Sequence, residues 1–143
     1  MAMSCLFCDI VAKRVPASVV FENDMVVVFS DVYPVNPGHQ LVVPRAHAAG
    51  LGDLDPAAGC EMFRLAQQVA QAIRRTDLRC EGINLFLADG EAALQEIFHI
   101  HLHVLPRYRG DAFRLDSGQS TVAAARDELD QVAAKIRLKL ATT

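Results

Sequence analysis

The sequence predicts an α+β domain built on a largely antiparallel sheet. Three features lead there: five β-rich runs parted by short turn signals, one long amphipathic helix between the third and fourth runs, and a second amphipathic helix near the carboxyl end. A chain of 143 residues suits one domain whose core needs no disulfide or metal to hold it. Apolar residues make up 52% and charged ones 22%, which excludes a disordered tail or a fibrous repeat.

The runs 19–22 and 25–30 flank the polar pair Asn23-Asp24 and read as a hairpin. In Pro34-Val35-Asn36-Pro37-Gly38, Pro and Gly take the two central positions of a type II turn, where only glycine adopts the required positive φ without steric cost. A strand over 39–43 follows, ended by Pro44. The helix spans 55–76, with Asp55 as N-cap, Pro56 at the first helical position, and Phe63, Ala66, Ala70 and Ile73 on one face. A strand over 81–88 turns at Asp89-Gly90, and the segment 91–96 leads into a strand over 97–105, closed by Pro106. The last helix covers 120–140, with Val122, Ala125, Leu129, Val132 and Ile136 at spacings of three and four. Its acidic residues come early and its basic ones late, as the helix dipole prefers.

Fourteen Lys and Arg against 17 Asp and Glu give a net charge of -3, too little positive field for a nucleic-acid partner. The first residues lack a basic segment ahead of an apolar run, and no run is long enough to enter a membrane, so a cytoplasmic protein is expected. In that reducing compartment the four cysteines stay thiols. Cys5-x-x-Cys8 reads as a metal knuckle or a redox pair, and Cys60 and Cys80 as buried thiols.

The segment Phe98-His99-Ile100-His101-Leu102-His103-Val104 holds three of the five histidines. Side chains alternate along a strand, so His99, His101 and His103 share one face while Ile100, Leu102 and Val104 take the other. Packing accounts for the apolar set but not for an imidazole at every second position. Two chemistries suit the ladder. The imidazoles can bind a metal that activates water, or one can attack an electrophile such as phosphorus while a neighbour handles a proton. Arg107 and Arg109 read as solubilising charges that could also attract phosphate.

His-Ile-His-Leu-His-Val resembles the signature of the histidine triad (HIT) superfamily of nucleotide hydrolases and transferases. The block from Asp31 to His47 is similar to the family's earlier block, and Cys5-Leu-Phe-Cys8 to the start of its zinc-containing bacterial-type branch. The resemblance implies a single HIT domain over 1–143, with a core at about 4–109 and a helical extension at about 117–141. It implies a HIT-like fold: an antiparallel five-stranded sheet, one long central helix, a C-terminal helix, and a sheet continuing across a homodimer. The implied activity is nucleotidyl hydrolysis or transfer at the α-phosphate of purine nucleotide conjugates, phosphoramidates or dinucleoside polyphosphates, with release of a nucleoside monophosphate. Alternatives are a nucleotide-binding module with little activity and a triad-histidine metallohydrolase.

By the same resemblance His101 is the nucleophile, His99 orients it through its backbone carbonyl, and His103 contacts phosphate. Asp31 would accept from ribose hydroxyls, and Val32, Phe29, Phe7 and Ile10 would wall the base pocket. Leu94, Gln95 and Glu96 would bind substrate, the backbone N–H groups near Gln95 and Glu96 cradling its phosphate. Cys5, Cys8, His47 and His99 would hold a structural zinc, four protein ligands making a closed site, and no catalytic cofactor is implied. His39, after Pro-Gly, reads as a structural hydrogen-bonding residue. The chain departs from the family's pattern at Ala88, in place of an amide, at Leu94, in place of glycine, and at Glu96, in place of a hydroxyl residue.

Overall fold

The computed structural model describes residues 4–114 and 122–140. Its elements are α1 (Leu6–Val11), β1 (Val19–Glu22), β2 (Val26–Ser30), β3 (Gln40–Pro44), α2 (Pro56–Arg74), β4 (Gly82–Leu87), β5 (Leu102–Arg107) and α3 (Arg126–Leu140). The strands form one five-stranded sheet in the order β1-β2-β3-β5-β4, with every neighbouring pair antiparallel. The chain divides into two compact units after Phe113.

Strand alternation gives the sheet two different faces. Val26, Val28, Val42, Leu102 and Val104 point to one side and pack under Met62, Leu65, Ala66, Val69 and Ile73 of α2. Val27, Phe29, Leu41 and Val43 point to the other, where Phe7 of α1 covers them. The hairpin forms as read, because Asn23 Oδ1 accepts from the Met25 and Val26 N–H groups at 2.9 Å each. The type II turn also forms: His39 N–H donates to the Asn36 carbonyl at 3.1 Å, with Gly38 at φ 98°.

Several expectations are corrected. Phe63 is 60% exposed, since the buried stripe of α2 centres on Met62, Leu65, Ala66, Val69 and Ile73 and leaves position 63 beyond its rim. Asp55 is the N-cap of α2 as expected, its carbonyl accepting from the Gly59 N–H at 3.0 Å, although its side chain makes no capping bond. Pro44 is the last residue of β3, as expected, but Pro106 does not end its strand and lies inside β5. Pairing between β3 and β5 stops at Val104, so the edge on which Pro106 lacks a donor needs none, and its carbonyl takes a 2.9 Å bond from the buried Asn36 amide. The strand predicted over 97–105 therefore starts at Leu102 and runs on to Arg107. The final helix begins at Arg126; positions 120 and 121 of its predicted range lie outside the described residues, and every described side chain of α3 is exposed. Cys60 is exposed rather than buried, and Cys80 is half-buried.

Core volume dominates stability here. Leu65→Ala, which empties a fully buried site under the sheet, is expected to lower unfolding free energy by about 3 kcal/mol, while Phe63→Ala costs less than about 1 kcal/mol. Urea denaturation of the two variants checks the contrast.

Candidate active site and metal centre

The site lies on the α1 face of the sheet. Phe29, Leu41, His103 and Phe86 form one cross-strand row through the registers Phe29↔Leu41, Leu41↔His103 and Phe86↔His103. His39 stands two residues before Leu41 and so shares that face. His99 and His101 precede β5 yet keep its alternation, and both are buried, at 0% and 8% exposure. The Ile100 N–H donates to the Ala48 carbonyl at 2.7 Å and pins this stretch beside His47. Phe7 meets His101 edge-on at 5.0 Å and Phe29 at 5.4 Å, so α1 packs on the histidines as well as on the sheet.

Hydrogen bonds fix where each imidazole carries its proton. His101 Nδ1–H donates to the His99 carbonyl at 2.8 Å, which leaves Nε2 with a lone pair. His99 Nε2–H donates to the Pro44 carbonyl at 2.7 Å, which leaves its Nδ1 as the free lone pair. His39 Nδ1 accepts from the Val35 N–H at 3.2 Å, so its proton sits on Nε2, which donates to His103 Nδ1 at 2.8 Å. His103 must then carry its proton on Nε2. Burial pushes His39, His99 and His101 below the ordinary imidazole range, so the set is neutral near pH 7. His103 is pushed down to about 4, by burial first and then by His101 and His39.

Two clusters have metal-ligand chemistry among the described residues, and they differ in kind. Cys5, Cys8, His47 and His99 bring their ligand atoms within 4.8 Å of one another. His47 Nδ1 and His99 Nδ1 are 3.3 Å apart, and the sulfur–nitrogen distances are 3.4 Å for Cys5–His99, 3.4 Å for Cys8–His47 and 3.5 Å for Cys8–His99. A tetrahedral zinc, with bonds of about 2.3 Å to sulfur and about 2.05 Å to nitrogen, sets nitrogens about 3.3 Å apart and sulfur and nitrogen about 3.6 Å apart. The donor set therefore fits such an ion. The short helix α1 supplies the knuckle, since Cys5 caps it and its Sγ accepts from the Cys8 N–H at 3.4 Å. Asp31, His39 and His103 form the second cluster, with Asp31 Oδ2 3.6 Å from His39 Nε2. It does not suit a metal in this arrangement, because an ion on His39 Nε2 would drive the proton to Nδ1, against the Val35 N–H.

The remaining expected residues separate. Asp31 is half-buried beside His39, and its Oδ1 accepts from the Tyr33 N–H at 2.9 Å. Phe7, Phe29 and Ile10 belong to one apolar cluster on the histidine face, whereas Val32 is 81% exposed. Gln95 is buried and already committed: its N–H donates to the Gly90 carbonyl at 3.1 Å, its Oε1 accepts from the Gly90 N–H at 2.8 Å, and its Nε2 donates to Ala49 and Ile97 carbonyls. Leu94 sits in the left-handed region at φ 67°, its side chain exposed, and Glu96 is exposed. Arg107 is neither a solubilising charge nor a free phosphate ligand, since it clamps Asp111, Asn84 and the Phe113 carbonyl. The part of His39 in the site escapes sequence reasoning, because its contact with His103 depends on the β3–β5 register.

A five-stranded antiparallel sheet with a histidine row on one face and a Cys-Cys-His-His cluster beside it defines a small histidine-based site. The HIT domain family matches residues 12–110, and the chain belongs to that family. It is similar to the crystal structure of a HIT family member from Bacillus subtilis, at 30% identity and TM-score 0.86, covering 94% of this chain and 95% of that one. It is also similar to a Zn-bound histidine triad family protein from Mycobacterium smegmatis, at 36% identity and TM-score 0.75 over 99% of each chain. A histidine triad nucleotide-binding protein from Candida albicans aligns at 25% identity and TM-score 0.85, covering 97% of this chain and 99% of that one. The five-stranded fold of the family is thus present here.

The depressed pKa of His103 has a pH signature. Folding lowers it from 6.5 to about 4, so between those values the unfolded chain binds a proton that the folded chain refuses. The contribution is complete above the upper value and is lost as pH falls through the window, where burial, His101 and His39 oppose the protonated ring and Asp31 offsets part of their effect. The melting temperature is expected to drop by several degrees from about pH 7 to about pH 4.5, and His103→Asn to flatten that slope. Thermal melts across the range measure both.

Proposed function

We propose that the protein is a histidine triad nucleotidyl hydrolase or transferase acting at the α-phosphate of purine nucleotide conjugates, such as nucleoside phosphoramidates or dinucleoside polyphosphates. The observation that carries this is the hydrogen bond of His101 Nδ1 to the His99 carbonyl at 2.8 Å, which leaves a neutral imidazole with its Nε2 lone pair free as a nucleophile. His101 Nε2 attacks the α-phosphorus; a nitrogen–phosphorus bond forms as the bond to the leaving group breaks and its electron pair departs with that group, an amine taking up a proton from solvent as it leaves. Water then attacks the same phosphorus and releases a proton to solvent, the nitrogen–phosphorus bond breaks, and a nucleoside monophosphate leaves with His101 restored. His103 presents Nε2–H, the polarity needed to stabilise negative charge on the phosphoryl oxygens.

Asp31 accepts from the ribose hydroxyls in this reading, and Phe7, Phe29, Ile10 and Val32 wall the base. Leu94, Gln95 and Glu96 line the phosphate side; with the Gln95 N–H bonded to Gly90, the cradle depends on other donors. The nucleotide-binding description of the Candida albicans neighbour supports the substrate class. Cys5, Cys8, His47 and His99 hold a structural zinc, supported by the donor spacing and by the Zn-bound neighbour from Mycobacterium smegmatis. That ion supplies rigidity, keeping His99 and hence its carbonyl in place. The reaction needs no further cofactor. The working unit is a cytoplasmic homodimer whose sheet continues through the edge strand β4. Among the described residues no helix is long and apolar enough to cross a membrane.

Two measurements decide the reading. On a panel of adenosine and guanosine phosphoramidates and dinucleotides, the chain is expected to turn over and to carry an acid-labile mass shift on His101. His101→Ala is expected to lose at least about three orders of magnitude in kcat while still binding the monophosphate. Absence of both turnover and adduct would leave a nucleotide-binding module. For the metal, one zinc per chain is expected by elemental analysis, with Cys8→Ser or His47→Ala reducing it and lowering the melting temperature by several degrees.

A further inference from the structure

We propose that Asn36, Asp111 and Arg107 are positioning residues that act through His39 to fix which nitrogen of His103 carries the proton. The consequence for catalysis rests on the nucleotidyl-transfer reading of the site; the consequence for the proton does not. Asp111 is 3% exposed and Asn36 5%, so a carboxylate and an amide are both taken out of water. Arg107 holds both oxygens of Asp111, Nη2 donating to Oδ1 at 2.7 Å and Nε to Oδ2 at 2.6 Å, and its Nη1 donates to Asn84 Oδ1 at 2.6 Å. Asn36 Nδ2 donates to Asp111 Oδ2 at 2.8 Å and to the Pro106 carbonyl at 2.9 Å. The attraction within a buried ion pair is largely offset by the loss of hydration, and what is left is one enforced geometry.

That geometry reaches the histidines through the turn over 35–39. The Asn36 carbonyl accepts from the His39 N–H at 3.1 Å, and the Val35 N–H donates to His39 Nδ1 at 3.2 Å. The neutral His39–His103 pair, joined at 2.8 Å, has two proton orders. In the first, His39 Nε2–H donates to His103 Nδ1, and His103 keeps Nε2–H as a donor. In the second, His39 carries its proton on Nδ1, His103 donates from Nδ1, and His103 Nε2 becomes a lone pair that repels a phosphoryl oxygen. The Val35 N–H selects the first, since a second N–H cannot face it. Asp31 Oδ2, 3.6 Å from His39 Nε2, favours a proton on that same nitrogen, so freeing the turn yields a mixture of the two orders rather than a reversal. The side chain of Asn36 ties this selector to β5, the strand that carries His103 and, four residues on and on the same face, Arg107.

Nitrogen-15 NMR of the full-length chain with labelled histidine tests this at about pH 7.5, where the ring is neutral, because ring-nitrogen shifts separate Nε2–H from Nδ1–H imidazole. Loss of one set of signals in His103→Asn assigns that ring. Asn36→Ala unties the turn, and Asp111→Asn removes the charge that Arg107 holds. Leu65→Ala, which weakens the core on the other face of the sheet, serves as the control for lost stability. Both clamp variants are expected to raise the Nδ1–H fraction of His103 several-fold over the native chain, and Leu65→Ala to leave it unchanged. On a nucleoside phosphoramidate the clamp variants are expected to lose about tenfold in kcat with KM within about twofold. A His103 that keeps Nε2–H in both variants, an equal change in Leu65→Ala, or loss of the fold in both clamp variants overturns the proposal. A changed proton order with kcat untouched overturns its catalytic half. If the native chain turns over no substrate while the proton order responds as expected, the nucleotidyl-transfer reading falls and the clamp stands.

Discussion

The bond between the His101 ring and the main-chain oxygen of His99 is the constraint on which the rest of the site depends. An imidazole has two nitrogens and, when neutral, one proton; a carbonyl at Nδ1 can only accept, so the proton is held there and Nε2 is left bare. The same logic repeats at His99 with the Pro44 carbonyl and at His39 with the Val35 N–H. Burial keeps all of these rings uncharged near neutrality, which gives each assigned lone pair its meaning.

The fold exists in service of that geometry through the two unlike faces of one sheet. On one side α2 lies over valines and leucines and closes the main core. On the other the small helix α1 lays Phe7 against Phe29 and His101, and that contact delivers Cys5 and Cys8 to His99. His99 therefore joins three systems at once: the cysteine cluster through Nδ1, strand β3 through Nε2, and His101 through its carbonyl.

Much of this was legible in the sequence because it is written in periodicity and spacing. The hairpin at Asn23, the turn at Gly38, the span of α2, and the alternation of three histidines with three apolar residues all follow from local rules. The Cys-x-x-Cys pair and the two more distant histidines meet as their resemblance to the zinc-bearing branch implied. What local rules missed depends on register. Pro106 continues a strand because the neighbouring strand has already ended, and Phe63 falls outside the stripe because the stripe is centred by what lies beneath it. His39 reaches His103 only once β3 and β5 are aligned, and Arg107 finds Asp111 only once the chain has turned back at Gly110.

The groups that decide where the protons sit are mostly main-chain atoms: the carbonyls of Pro44 and His99 and the N–H of Val35. Replacing the side chains at 44, 99 or 35 alters neighbours and packing but leaves a carbonyl at the first two places and an amide hydrogen at the third, proline at 35 excepted. Apart from proline at 35, inherited variation can therefore erode the rings themselves but cannot delete their anchors; only a shift in the path of the chain can do that.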